Sequence, residues 1–201
     1  MNFEATIKAG LKSKIRQRAK SLLQAFNMPE KDKGKKKYCS FLNAPIKDTY
    51  IFYEAFAGLG ILDNPRALFK AILSDPDFSN FTHVWSVDNL ELAKENIEEF
   101  SSLTNVIIVK RESSEYYQYL ATCKYLINNS TFGYYFVKRP EQIYINTWHG
   151  VPTKYMGYEH TIERVENARG PARNYLSADY LISANSFMTE VMYKRAYKLN
   201  N

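Results

Sequence analysis

The sequence predicts an α/β domain, a Rossmann-like parallel sheet with flanking helices. Three observations carry that prediction. Short β-branched and aromatic runs alternate with helix-patterned stretches roughly every 20–30 residues, the signature of βαβ units. Apolar residues make up 45% and aromatics 15% of the 201 residues, enough to cover both faces of a sheet. The positive charge is not spread over the chain. Residues 1–37 hold 11 Lys/Arg against 3 Asp/Glu, whereas the remainder holds 16 against 18.

In chain order, LKSKIRQRAKSLLQAF (11–26) is the first predicted helix. Leu11, Ile15, Ala19, Leu22 and Phe26 fall on one face at 100° per residue, flanked by Lys12, Arg16 and Arg18. A basic amphipathic helix suits an anionic membrane surface. The same stripe could instead dock on its own domain, and both readings stay open. KDKGKKK (31–37) reads as a hydrophilic linker, which divides the chain into residues 1–40 and 41–201.

Beyond it, TYIFYEAF (49–56) is a strand, and NPRALFKAILSD (64–75) a helix whose Asn-Pro opening suits a cap and first turn. THVWSVD (82–88) is the next strand, with Asp88-Asn89 capping the helix LELAKENIEEF (90–100). NVIIVK (105–110) and the helix SEYYQYLATCK (114–124) follow. Then come the strand YLINNS (125–130), a loop, and the strand IYINTW (143–148). A helix around 161–176, the strand DYLISAN (179–185) and a helix from Ser186 close the pattern.

Composition excludes several classes. Cys39 and Cys123 form no CxxC, so neither a disulfide framework nor a metal site is expected, and no motif asks for a cofactor. No apolar run approaches the ~18 residues of a membrane span, and the N-terminus lacks a secretory apolar segment. These features predict a cytosolic protein. The globular part is slightly acidic, so the basic N-terminus does not make it a nucleic-acid binder.

In an open parallel sheet, ligands bind beyond the carboxyl ends of the strands. After the first strand, Gly58 and Gly60 permit close backbone approach, and the helix behind them offers N–H groups to an anion. A flexible loop would look the same. Asn128 and Asn129 end the fourth strand, as sugar or phosphate contacts or as a turn. After the fifth strand, WHGVPTK (148–154) gathers a potential general base in His149, a permissive Gly150, a rigid Pro152 and the cation Lys154. Imidazole titrates at about 6.5, so His149 could take a proton from a hydroxyl near neutral pH. His83 and His160 look incidental.

YLINNSTFGYYFVKRPEQIYINTWHGVPTKYMGYE resembles the signature of the CDP-glycerol glycerophosphotransferases, the teichoic acid primases and polymerases. IFYEAFAGLGILDNPRALFKAIL and RNYLSADYLISANSFMTEVMYKRAY are similar to the family's first strand and loop and to the close of its first half-domain. Val151 and Thr153 stand where the family more often has Thr and Leu. The resemblance implies the N-terminal, acceptor-side half of a GT-B architecture. It also implies transfer of glycerol phosphate from CDP-glycerol to a lipid-linked polyol-phosphate or sugar acceptor at the cytoplasmic face of a membrane. His149 matches the family's catalytic base. The family's second half-domain, with most nucleotide contacts, is not in this sequence, so the isolated chain is expected to be inactive. Two alternatives remain at this point: a GT-B glycosyltransferase using a nucleotide sugar, and a non-catalytic membrane-surface module.

Overall fold

A computed structural model describes residues 30–100, 102–160 and 165–199. The chain divides into two units, residues 1–36 and 37–201. The amphipathic segment 11–26 lies outside the described residues.

The second unit is built on six strands: β1 (Lys47–Glu54), β2 (Thr82–Val87), β3 (Val106–Lys110), β4 (Cys123–Asn128), β5 (Ile143–Asn146) and β6 (Tyr180–Leu181). They form one sheet in the order β3-β2-β1-β4-β5-β6, and every pairing is parallel. This is the strand order of a doubly wound sheet. Its order reverses between β1 and β4, and the crevice where such folds bind ligands opens at that reversal.

Strand alternation sends neighbouring side chains to opposite faces. Phe52 packs on one side with Val84, Leu126 and Tyr144, beneath Tyr116 and Leu120 of the helix α4 (Ser114–Thr122). Ile51 and Tyr53 pack on the other with Trp85, Ile127 and Phe69, the last from the helix α2 (Asp63–Leu73). Each fully buried aromatic is worth about 2–3 kcal/mol of transfer free energy. A third cluster joins Trp148 to Tyr175 of the helix α5 (Val165–Ser177) and to Met188, Met192 and Tyr193 of the closing helix. That closing helix is wound as a π-helix over Met188–Ala196.

Local chemistry moved several boundaries. The lysine-rich segment expected as a linker belongs to a helix, α1 (Glu30–Ser40), anchored by Tyr38, which is fully buried. The Tyr38 hydroxyl donates to the Val137 carbonyl at 2.7 Å. Asn89, expected as a helix cap, instead closes the turn 90–93, accepting from the Glu91 and Leu92 N–H groups at 3.1 and 3.2 Å, and the helix beyond starts after Ala93 with no side-chain cap. Regular α-winding there covers only α3 (Lys94–Glu98), because little of that charged stretch can be buried. The helix α4 passes directly into β4 at Cys123 without a loop. Strand β6 keeps two residues, since only Tyr180 and Leu181 reach a partner strand.

Candidate functional site

The site forms where β1, β4 and β5 end. Strand β5 finishes at Asn146, whose amide locks the turn that follows. Its Oδ1 accepts from the Trp148 N–H at 3.0 Å, and its Nδ2 donates to the Ser130 carbonyl at 2.7 Å. Trp148 is left-handed (φ 52°) and Gly150 lies at φ 125°, so the chain turns sharply on either side of His149. A bulky left-handed residue costs roughly 1–3 kcal/mol and persists only where its surroundings over-determine it. Here they do. The indole sits in the third core cluster, and the Trp148 carbonyl accepts from Asn64 Nδ2 at 3.1 Å. Asn64, expected as a helix cap, therefore reaches across the sheet edge instead, and no side chain caps α2.

His149 is exposed at its rim but held in orientation. Its ring stacks on Trp148 with centroids 3.9 Å apart and lies 5.3 Å from the Phe56 ring. Its Nδ1 is 2.5 Å from the main-chain oxygen of Asn129. A carbonyl oxygen can only accept, so Nδ1 carries a proton, and in the neutral ring the lone pair is on Nε2.

Asn128 and Asn129 are both fully buried. Asn129 Oδ1 accepts from the Phe56 N–H at 2.9 Å, and its Nδ2 donates to Asp63 at 2.7 Å. Asn128 donates to Glu54 at 3.3 Å and accepts from the Ser130 N–H. The pair thus organises the loops around His149 and presents no side chain to solvent.

Glu54, at the end of β1, is fully buried. Burial pushes its carboxyl above the ordinary value, countered by the charge of Arg111 and by Ser86, whose hydroxyl donates to it at 3.0 Å. Arg111 Nε lies 3.4 Å from Glu54 Oε2, an ion pair too poorly aligned to be a hydrogen bond. Arg111 directly follows β3, so the strand-end rule marks it as well.

The glycines of the first loop serve packing. Gly58 is buried at φ 87°, and a Cβ there would sit 2.9 Å from the Asp88 nitrogen and 3.0 Å from Arg111 Cδ. Its carbonyl accepts from Asp88 N–H at 2.7 Å, joining the ends of β1 and β2. Gly60 is also buried, in ordinary contact with Leu62 and Ala93. Of this loop it is Ala57 that lines the adjoining cleft, a space of about 710 Å³ shared with Arg111, Ser130, Thr131, Arg169 and Arg173. Lys154 lies elsewhere, in a groove of about 480 Å³ with Met156, Phe187 and Arg195 that shares no residue with the cleft. The structure therefore brings His149, Gly150 and the backbone of Asn129 together, and leaves Lys154, Gly58 and Gly60 outside that cluster. Among the described residues, no group of three or more His, Cys, Asp or Glu side chains could hold a metal.

Comparison with known proteins agrees with this fold. The chain is 29% identical over 153 residues to a teichoic acid poly(glycerol phosphate) polymerase of Bacillus spizizenii, covering 73% of this chain and 37% of that protein. It is 30% identical over 152 residues to one of Staphylococcus epidermidis, covering 73% and 20%. A solved structure of the wall teichoic acid polymerase TagF matches with a TM-score of 0.73 at 24% identity, over 94% of this chain and 44% of that one. At that identity the likeness establishes the fold. The same polymerase, with a histidine replaced by asparagine, has been soaked with CDPG. The chain thus spans 20% to 37% of the length of these curated relatives. The model of the CDP-Glycerol:Poly(glycerophosphate) glycerophosphotransferases matches residues 37–201, all of the sheet and the whole His149 corner, and the chain belongs to that family.

Proposed function

We propose that this domain is the acceptor-side half of a glycerophosphotransferase, with His149 as its general base. One observation carries the reading: Nδ1 of His149 is committed to the Asn129 carbonyl, which leaves Nε2 as a lone-pair acceptor at the crevice of the sheet. In the reaction, Nε2 takes the proton of an acceptor hydroxyl. The freed oxygen forms a bond to the β-phosphorus of CDP-glycerol, and the pyrophosphate bond breaks with its electron pair leaving on CMP. The imidazolium so formed donates a charge-assisted hydrogen bond to Asn129, which lowers the cost of holding the proton. Displacement at phosphorus depends mainly on positioning and charge stabilisation, and the doubly braced Trp148–Gly150 turn supplies the positioning.

The rest of the reading follows from the family and from the greater length of the relatives. A second Rossmann-like half, completing a GT-B cleft, holds the nucleotide. The acceptor is a membrane-linked polyol-phosphate, and the basic segment 11–26 holds the protein peripherally at the cytoplasmic face. No described helix is long and apolar enough to cross a membrane.

The test is CMP release from CDP-glycerol by the chain, alone and with the remainder of a teichoic acid polymerase supplied in trans. We expect turnover in the mixture and a fall of roughly 10²–10⁴-fold on His149→Ala. Unchanged turnover in that variant removes His149 as the base. Sugar transfer in place of glycerol phosphate transfer, in a panel of donors, replaces the donor assignment.

A further inference from the structure

The cleft beside His149 is lined by three arginines and by no carboxylate. They come from distant parts of the chain: Arg111 follows β3, while Arg169 and Arg173 stand one turn apart on α5. Like charges at i and i+4 repel on a bare helix, and the two helix arginines are differently engaged. Arg173 donates to the carbonyls of Tyr134 and Gly133 at 2.5 and 3.2 Å. Arg169 has no ion-pair or hydrogen-bond partner among the described residues.

The walls are fixed. Asn174 of α5, 1% exposed, grips the backbone of Phe132 from both sides. Its Oδ1 accepts from the Phe132 N–H at 2.8 Å, and its Nδ2 donates to the Phe132 carbonyl at 3.3 Å. Above Gly170 the cleft is open, with no atom within 4 Å of where a Cβ would lie. Gly58 lacks the Cβ that would crowd the Arg111 stem, and Glu54 holds that guanidinium from beneath. Ser130 and Thr131 line the same space and add hydroxyl donors. Arg169 and Arg173, donor forks that pair with no carboxylate among the described residues, suit a phosphate oxygen pair, and Arg111, fixed by Glu54 and by Glu112 at 3.1 Å, adds positive charge beside them.

Two chain segments tie this cleft to the base. Asn129 accepts from His149, and the next two residues line the cleft; Phe56 packs on His149, and the next residue lines it. One or two residue steps cover about 4–8 Å. The glycerol unit between a phosphodiester and the next free hydroxyl spans a distance of that order.

We propose that Arg111, Arg169 and Arg173 form a subsite for a phosphodiester of the acceptor polymer, next to the hydroxyl that His149 deprotonates. The choice of acceptor rests on the proposed function; the anion site itself does not. The test is equilibrium binding of glycerophosphoglycerol, inorganic phosphate and CMP to the chain by calorimetry at low salt, without turnover. Glycerophosphoglycerol should bind more tightly than inorganic phosphate and weaken about five- to tenfold in Arg169→Gln. Arg169 is exposed and pairs with no side chain among the described residues, so this variant should fold, which a thermal melt checks. Raising the ionic strength should weaken binding in the wild type more than in the variant. The base assignment is read from turnover and the subsite from binding without turnover, so a failure of the base assignment leaves this result intact. Equal binding by wild type and Arg169→Gln overturns the subsite. Selective weakening of CMP, or phosphate binding as tight as the phosphodiester, overturns its assignment to the acceptor.

Discussion

The imidazole of His149 donates through Nδ1 to the main-chain oxygen of Asn129, a residue that immediately follows the neighbouring parallel strand. The acceptor is backbone, so no substitution at Asn129 removes it directly. It is placed by the Asn129 side chain, which bridges the Phe56 N–H and Asp63 across the β1–β4 reversal. Strand order, loop anchoring and tautomer are thereby one chain of cause. A one-residue slip of β5 against β4 would turn His149 away from that carbonyl.

Asn64 bears on the same corner from the other side. Replacing it with Ala removes the donor to the Trp148 carbonyl. Stability should fall by about 1 kcal/mol, and CMP release in the complemented assay by about tenfold or more, because the proposed base shifts. Asn64→Asp, isosteric but without a donor, should lose at least as much. A melt that drops with turnover unchanged would confine Asn64 to structure.

The glycines separate into three physical cases. Gly58→Ala suffers both a left-handed φ and contact with Asp88 backbone, which cannot yield as a side-chain tip can. It should cost more than Gly150→Ala, where φ is positive but the space is open. The second should cost about 1–3 kcal/mol from torsion alone. Gly170→Ala, in the interior of α5 with open space, should gain about 0.5–1 kcal/mol. Denaturant midpoints for the three variants test the ranking, and an equal effect at all three refutes it.

Arg111 and Glu54 should behave as a unit. Arg111→Met leaves the fully buried Glu54 without its charge partner. Breaking one side of a buried pair costs about 3–5 kcal/mol. Adding Glu54→Gln should recover part of that loss, since an amide is cheaper to bury than a carboxylate. A double-mutant cycle measures the coupling. Additive losses would mean that the two groups do not interact.

The order of elements was legible because each strand carries its own local pattern. Ile51, Phe52 and Tyr53 announce a strand covered on both faces without reference to anything distant. The WHG corner was legible for a similar reason: its unusual residues are adjacent. The cleft was not. Arg111 and Arg169 are far apart in sequence and meet only because parallel crossovers bring every strand's carboxyl end to one edge. Asn64 looked like a cap because Asn before Pro suits one, but Asp63 takes a left-handed φ of 56° and turns the next side chain toward Trp148. The Asn128–Asn129 pair was visible as polar residues at a strand end. Their burial under neighbouring loops, which makes them organisers, depends on tertiary packing that no local pattern records.

His83, an incidental residue for the chemistry, should dominate one feature of stability. It is fully buried in β2, with Nδ1 3.0 Å from the Tyr53 hydroxyl and Nε2 buried without a partner among the described residues. Burial pulls its pKa from 6.5 down to about 4. Between those values the unfolded chain binds a proton that the folded chain refuses. His83 therefore leaves stability untouched above pH 6.5 and lowers it as pH falls toward 4, by up to roughly 3 kcal/mol. Below that, both states are protonated and the loss levels off. His83→Phe keeps an aromatic ring beside Tyr53 and Phe69 but cannot titrate. It should be less stable at pH 7, where the Tyr53 hydroxyl loses its partner, yet show a shallower decline from pH 7 to 5. Denaturant unfolding at pH 7, 6 and 5 gives both slopes. Carboxylates shared by the two proteins cancel in their difference, so parallel declines would show that His83 is protonated in the folded state as readily as in the unfolded one.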